Sequence, residues 1–203
     1  MRRRVKEREN PIFYQAKLES LGQLEKLSEE NKIDLFYADE AAVSLSPNVP
    51  YAWQFSDEQA AMPASLGKGT NCFALLARDN RAQVETTSQP ITARFIFEQF
   101  EHLSLSLSAL TVVVLDNAPS HRARIIKERI LVWQRRGLFL FYLPRYSPHL
   151  NIVETLWRKL KYEWLAPRDY ETRDTLCYAV RLALKSVVRS LNINFSSFNF
   201  RLI

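Results

Sequence analysis

The sequence predicts an α/β protein with a mixed five-stranded sheet, three antiparallel strands followed by two parallel ones, flanked by helices. Two neighbouring segments read as a hairpin that follows a first alternating strand. Residues 109–116 and 138–144 are continuous apolar runs, which are typical of buried parallel strands. Helical patterns lie between and after these runs, as β-α-β units require.

The N-terminal elements follow from residue spacing. Spaced leucines among charges predict a surface helix over residues 14–30. Residues 32–46, "KIDLFYADEAAVSLS", alternate and are rich in aromatics, which indicates a strand. Residues 71–79 and 82–89 predict the hairpin, with Asp79-Asn80 in its turn.

Three more helices are predicted outside residues 143–161. One covers residues 91–107 and another covers residues 171–190. Between them, Ser120 is expected to cap a helix that runs to Arg136, and Gly137 is expected to end it.

Composition limits the function classes. Of 203 residues, 47% are apolar, which is a globular composition. A net charge of +6 and a pI of about 9.4 suit a polyanionic partner, although many basic proteins bind no nucleic acid. No apolar run is long enough to span a membrane, and four glycines leave no Gly-rich phosphate loop. Cys72 and Cys177 match no metal or redox spacing, so a reducing cytosol is expected.

Residues 143–161, "LPRYSPHLNIVETLWRKLK", predict a loop that becomes an amphipathic helix. Ser147 would cap this helix with Pro148 at its first position. Glu154 then falls at the edge of the apolar stripe and points toward the sheet. Alternatively, Asn151 caps the helix and Glu154 closes a capping box with it. The stripe contains Leu150, Val153, Trp157, Leu160 and Trp164, and we expect Trp157 to be a core residue.

Three acids stand at element ends. Asp39 and Glu40 come at or near the end of the apolar portion of the first strand, and Asp116 directly follows "TVVVL". On its own, Asp116 could be an ordinary turn residue in "DNAPSH". Together with Glu154, however, these carboxylates offer the oxygen ligands that a hard divalent cation needs. Two magnesium ions held there would activate a water or a 3′-hydroxyl for attack on a phosphodiester, and the basic chain would hold the DNA backbone.

The segments "YADEAAVSL", "VVVLDNAPSH" and "LPRYSPHLNIVETLWRKLK" resemble the three signature blocks of DDE transposases. The resemblance is to the bacterial insertion-sequence branch of the Tc/mariner superfamily, and it covers residues 10–190. "VPYAWQ", residues 49–54, also resembles that branch. Two departures are Arg145 and Ile152, each of which stands where the family often has proline.

The resemblance implies an RNase H-like fold with Asp39, Asp116 and Glu154 as catalytic metal ligands. The last two are separated by 37 residues, 117 to 153, which is close to the family's spacing. It also implies Mg²⁺ or Mn²⁺, two ions in all, and cleavage and joining of double-stranded DNA at transposon ends, often with a TA target. Further candidates to support the acids or contact DNA are Glu40, Asn117, His121, Arg145, Ser147, Pro148, Asn151 and Lys161.

The domain prediction has three parts. Residues 1–30 form a basic arm and helical lead-in, residues 31–190 form the catalytic domain, and residues 191–203 form a tail. Family members normally carry an N-terminal helix-turn-helix region. Since about 30 residues precede the first strand, we expect the catalytic half alone, with a separate or frameshift-fused end-binding subunit. A homodimer and a cytoplasmic, nucleoid-associated location in a bacterium are expected by analogy.

Two other functions remain open from the sequence. A chain without end recognition could be a non-catalytic partner or regulator of a full-length transposase. It could also be another RNase H-like nuclease, such as one acting on RNA–DNA hybrids, although the "YSPHLN" block argues against this.

Overall fold

A computed structural model describes residues 10–46, 69–189 and 192–195 of the chain. Most of the basic arm, the "VPYAWQ" segment and most of the C-terminal tail lie outside the described residues, so the predictions made for them stay predictions.

Five strands form one sheet in the order β3-β2-β1-β4-β5. The strands are β1 (Asp34–Val43), β2 (Thr70–Leu76), β3 (Ala82–Thr87), β4 (Thr111–Leu115) and β5 (Leu138–Tyr142). β2 and β3 pair antiparallel, whereas β4 pairs parallel with both β1 and β5. The predicted mixed five-stranded sheet is confirmed.

Helices flank this sheet. They are α1 (Pro11–Glu29), α2 (Ala93–Leu105), α3 (Arg124–Arg135), α4 (Val153–Lys159) and α5 (Arg173–Arg189). α4 continues into one π-helical turn, Leu160–Trp164, and two 3₁₀ turns occupy Pro148–Leu150 and Pro167–Tyr170. Every helix of the sequence prediction is present, with bounds that differ by a few residues except at the starts of α3 and α4.

The chain divides into two units, of which the first contains residues 1–38, 92–151 and 196–203. Its core forms on β4, all five residues of which are buried. The Trp133 ring of α3 lies edge-on to Phe100 of α2, with centroids 5.8 Å apart. On α1, the buried Glu25 carboxylate accepts a hydrogen bond from the hydroxyl of Tyr37 on β1.

The second unit contains residues 39–91 and 152–195. Six of the seven residues of β2 are buried, and α5 turns one apolar face inward, formed by Leu176, Val180, Leu184 and Val187. Gly69, just before β2, lies against the end of β1. A Cβ at Gly69 would stand 1.6 Å from the carbonyl oxygen of Val43, so this close approach of two backbones requires glycine.

The hairpin and the end of α3 follow the prediction. Asn80 sits in the turn between β2 and β3 with a φ of 69°. Gly137 adopts a φ of 95° directly after the cap residue of α3, a conformation that favours glycine. Thr92 caps α2 by accepting a hydrogen bond from the Phe95 N–H.

Three local predictions are wrong. Ser120 caps no helix, because residues 118–122 form turns and α3 begins only at Arg124, after an extended Ala123. Ser147 and Pro148 start a 3₁₀ turn, not α4, which begins at Val153 with Ile152 at its N-cap position and no side-chain cap. That start also excludes the capping box of Asn151 with Glu154.

The apolar strand β5 is less buried than predicted. Only Leu138 of its five residues is buried, because β5 is the edge strand of the sheet. Its neighbour β4 has strands on both sides and is fully buried. An apolar run does not distinguish these two positions.

Within the described part of the chain, none of the helices is both long and apolar enough to span a membrane.

Candidate active site

Asp39 and Glu154 are neighbours in the second unit. Asp39 lies on β1 and is half-buried, and Glu154 is an exposed residue in the first turn of α4. The pKa of Asp39 is raised to about 7. Burial is the largest cause, and the negative charges of Glu154 and Glu40 add to it. The sequence analysis expected Glu154 to point toward the sheet, whereas its side chain is exposed to water.

Trp157 orients the Asp39 carboxylate. It lies one helical turn after Glu154 and is 3% exposed, as expected for a core residue. Its indole N–H donates a hydrogen bond of 3.0 Å to Oδ2 of Asp39. This bond and one from the backbone N–H of Glu40 favour the ionised carboxylate and oppose the effect of burial. Sequence reasoning assigned Trp157 to the core and missed its role as a donor, although its i+3 position after Glu154 was a usable signal.

Asp116 follows β4 in the first unit and its side chain is 53% exposed. Oδ1 of Asp116 lies 2.7 Å from Nδ1 of the fully buried His121 and accepts a second bond of 2.8 Å from the Ala118 N–H. Burial alone would raise the pKa of Asp116, but the hydrogen bonds from His121 and Ala118 outweigh it and hold this pKa below its usual value. Asp116 is therefore an ionised, oriented carboxylate.

Asn117 and Asn151 hold backbone segments. Asn117 Nδ2 donates to the carbonyl of Leu143, directly after β5. Asn151 is buried, and its Nδ2 donates a bond of 3.0 Å to the carbonyl of Ala38, the residue before Asp39. These two amides fix the chain on which the aspartates stand.

The other predicted candidates have different surroundings. Ser147 is buried and its hydroxyl donates to the Arg145 carbonyl at 3.3 Å, which shapes the loop before the 3₁₀ turn. Arg145 and Pro148 are exposed. Lys161 lies close enough to Cys72 for its charge to oppose the effect of burial on that thiol, whose pKa is raised to about 12.

The described residues contain no group of three or more His, Cys, Asp and Glu side chains already arranged to hold a metal ion. The donor chemistry nevertheless suits a hard cation. Asp39 is surrounded by negative charge from Glu154 and Glu40, which destabilises its ionised form. A divalent ion would remove that penalty, and carboxylate oxygens are the ligands that Mg²⁺ and Mn²⁺ prefer.

Comparisons with known proteins identify the family and the fold. A family model described as DDE superfamily endonuclease matches residues 34–177. No curated protein matches the sequence.

Among solved structures, the chain is similar to the Mos1 transposase paired-end complex with the left transposon end. The TM-score is 0.51 at 15% identity, over 93% of this chain and 66% of that one. For the Mos1 mariner paired-end complex with Mn, the TM-score is 0.52 at 16% identity, over 94% of this chain and 67% of that one. The third structure is a simian T-cell lymphotropic virus intasome in complex with PP2A regulatory subunit B56 gamma. Its TM-score is 0.51 at 12% identity, over 78% of this chain and 49% of that one.

The fold is that of RNase H-like cores, as found in these transposase and intasome structures. The chain belongs to the DDE superfamily endonucleases, since the family model covers residues 34–177. The predicted DDE family, its endonuclease class and the fold class are confirmed at this level. The chain spans about two thirds of the length of the Mos1 transposase chains that it matches.

Proposed function

We propose that the chain is the metal-dependent catalytic domain of a transposase, which cuts double-stranded DNA at transposon ends and joins the freed 3′ end to target DNA. Asp39, Asp116 and Glu154 are the proposed metal ligands. The observation that carries this proposal is the orientation of both aspartates by dedicated donors, the Trp157 indole and the His121 imidazole. Such support of ligating carboxylates is typical of metal sites.

Asp39 and Asp116 hold equivalent sequence positions after paired residues of two neighbouring strands. β1 and β4 pair in parallel, with Tyr37 opposite Val114. Asp39 follows Tyr37 by two residues, and Asp116 follows Val114 by the same interval. In sheets of this kind, ligands bind beyond the carboxyl ends of parallel strands.

The protein's own groups would position and neutralise the reactants. Two bound Mg²⁺ or Mn²⁺ ions would supply Lewis-acid activation of the attacking water or 3′-hydroxyl and stabilise the leaving oxygen. Trp157 holds Oδ2 of Asp39 and His121 holds Oδ1 of Asp116, so both carboxylates are oriented before an ion binds. Glu154, exposed in the first turn of α4, is accessible from solvent to complete the ligand set.

We also propose the partners and location that this function requires. Transposition joins two ends, so a homodimer that binds transposon ends and a TA target fits the chemistry. A separate or fused helix-turn-helix subunit would recognise the end sequences. The bacterial insertion-sequence branch and a cytoplasmic, nucleoid-associated location complete this proposal, because the DNA substrate lies there.

The test is plasmid nicking by the purified chain in Mg²⁺, Mn²⁺ or EDTA. We expect metal-dependent nicking that disappears in Asp116→Asn and in Glu154→Gln. The matched control is Glu163→Gln, which removes an acid that is 46% exposed and pairs with Lys159 at 2.7 Å. Nicking that survives in both site variants would reject the proposal, and a preference for RNA–DNA hybrids would indicate the other nuclease class.

A further inference from the structure

Arg122 carries an exposed guanidinium that neutral groups hold in place. Its Nη1 donates a bond of 2.9 Å to Oδ1 of Asn117, and its guanidinium carbon lies 5.5 Å from the ring centroid of Tyr142. Neither partner is a carboxylate. Among the described residues, Arg122 forms no ion pair, whereas its neighbour Arg124 pairs with Glu128 at 2.6 Å. Arg122 is therefore an ordered positive charge that those residues do not neutralise.

The groups that hold Arg122 also hold the Asp116 loop. Asn117 directly follows Asp116 and is tied to the Leu143 carbonyl. The Tyr142 hydroxyl donates a bond of 2.9 Å to the carbonyl of His121, whose imidazole contacts Asp116. Both ends of this loop are thus anchored to the end of β5, and the guanidinium is fixed relative to the Asp116 carboxylate.

An exposed guanidinium in a fixed orientation can donate hydrogen bonds to the oxygens of a phosphate group. Arginine presents planar N–H donors in a geometry that matches phosphate, and Arg122 uses one of its nitrogens for Asn117. Because its neutral partners already restrict the side chain, less conformational entropy is lost on binding. A carboxylate partner would have satisfied this charge within the protein, as Glu128 does for Arg124.

We propose that Arg122 binds a backbone phosphate of the DNA strand that enters the site beside Asp116. This inference rests on the proposed function, because it takes DNA as the substrate. It assigns Arg122 to substrate positioning, a role separate from that of the metal-binding carboxylates.

The experiment measures binding of a fluorescent DNA duplex in EDTA, where no cleavage occurs, over a series of salt concentrations. The variants are Arg122→Gln, Arg122→Lys and the control Arg124→Gln, which removes the same charge from a side chain that is 90% exposed and paired with Glu128. For Arg122→Gln we expect about tenfold weaker binding and a log–log salt slope reduced by about one. Arg122→Lys should recover the salt slope and part of the affinity.

A merely structural role predicts a different pattern. In that case Arg122→Gln and Arg122→Lys would both lower the melting temperature, and the salt slope would stay at the wild-type value. Equal DNA binding by Arg122→Gln and Arg124→Gln would overturn the proposal, and so would a wild-type chain that binds no DNA. A wild type that binds DNA through Arg122 but never nicks it would reject the proposed function and leave this inference standing.

Discussion

At the scale of single residues, the Asp39 carboxylate depends on one buried donor. Its pKa of about 7 results from burial and from the charges of Glu154 and Glu40, and the Trp157 indole opposes them. The sequence pattern predicts that Trp157 is buried, since it falls on the apolar stripe of α4. It cannot predict the hydrogen bond to Asp39, because that bond joins residues 118 positions apart in sequence.

Trp157→Phe should weaken metal binding at the site without unfolding the protein. The phenyl ring preserves most of the packing, but Asp39 loses its 3.0 Å donor. We expect the Mg²⁺ concentration for half-maximal nicking to rise by about tenfold, since groups that support metal ligands typically have effects of this size. The measurement is a Mg²⁺ titration of plasmid nicking.

Trp133→Phe is the matched control for this variant. It removes an equally buried indole N–H, which donates at 2.9 Å to Glu101. Any loss of stability should be similar in the two variants, but only Trp157→Phe should shift the metal dependence. Equal Mg²⁺ dependence in both would refute the positioning role.

At the scale of elements, one glutamate joins α2 to α3. Glu101 on α2 accepts two bonds from Arg129, at 2.6 and 2.9 Å, one from the Trp133 indole and one of 2.8 Å from Arg136. Hydrogen bonding from Arg129 and then from Arg136 and Trp133, together with the positive charge of Arg129, holds the pKa of Glu101 well below its usual range. The acid is 22% exposed, so water only partly screens these contacts.

Glu101→Gln should destabilise the fold in a pH-dependent way. The ordinary glutamate pKa is about 4.3 and the folded value is lower, so the ionised acid stabilises the protein above pH 4.3. That contribution is lost as the pH falls through the folded pKa. We expect a cost of about 2 kcal/mol at pH 7, measured by urea unfolding, and a smaller cost at about pH 3.

Glu98→Gln on the same helix provides the comparison. Glu98 pairs with Arg94 at 2.6 Å, but the two side chains are 54% and 71% exposed. Exposed pairs of this kind contribute about 0.5 kcal/mol or less. If Glu98→Gln and Glu101→Gln cost the same at pH 7, Glu101 is not the link between α2 and α3.

The helices α1 and α3 both end at a residue with positive φ, which is Asn31 after α1 and Gly137 after α3. Asn31 follows the last turn of α1 with a φ of 54°. Its N–H donates to the Ser28 carbonyl, and the Lys32 N–H donates to the Leu27 carbonyl, both at 2.9 Å. This is the Schellman arrangement. At the end of α3, a Cβ on Gly137 would meet only Leu107 Cδ1 at 3.9 Å, so its φ of 95° alone restricts substitution.

Substitutions at these two helix ends should change the free energy of unfolding in opposite directions. Asn31→Gly should stabilise the fold by roughly 0.5 kcal/mol, because glycine adopts positive φ without strain. Gly137→Ala should destabilise it by about 1 kcal/mol for the converse reason. Urea unfolding at pH 7 measures both, and a neutral Gly137→Ala would contradict the assigned backbone strain.

At the scale of the whole molecule, the sequence predicts most of the architecture because its periodicities are strong. The apolar run of β4 and the alternation of β1 indicate their strands directly. The start of α4 is not predictable locally, since both Ser147 and Asn151 are good cap residues. The structure uses neither as a cap, and the Asn151 amide bonds the Ala38 carbonyl instead. Similarly, local sequence does not show that β5 lies at the edge of the sheet.

The choice of the three acids rests on their positions in sequence blocks that resemble a known family, and it stays a prediction. Of the supporting groups, His121, Asn117 and Asn151 were among the predicted candidates, whereas the Trp157 indole was not, because its bond to Asp39 joins distant segments. The central claim is that Asp39, Asp116 and Glu154 bind divalent metal together.

Calorimetric titration of the purified chain with Mn²⁺ tests that claim most directly. The variants are Asp39→Asn, Asp116→Asn and Glu154→Gln, with Glu163→Gln as the control. We predict that the wild type and Glu163→Gln bind Mn²⁺ equally, and that each of the three site variants loses at least one ion or binds far more weakly. Unchanged Mn²⁺ binding in any of the three site variants would contradict the account.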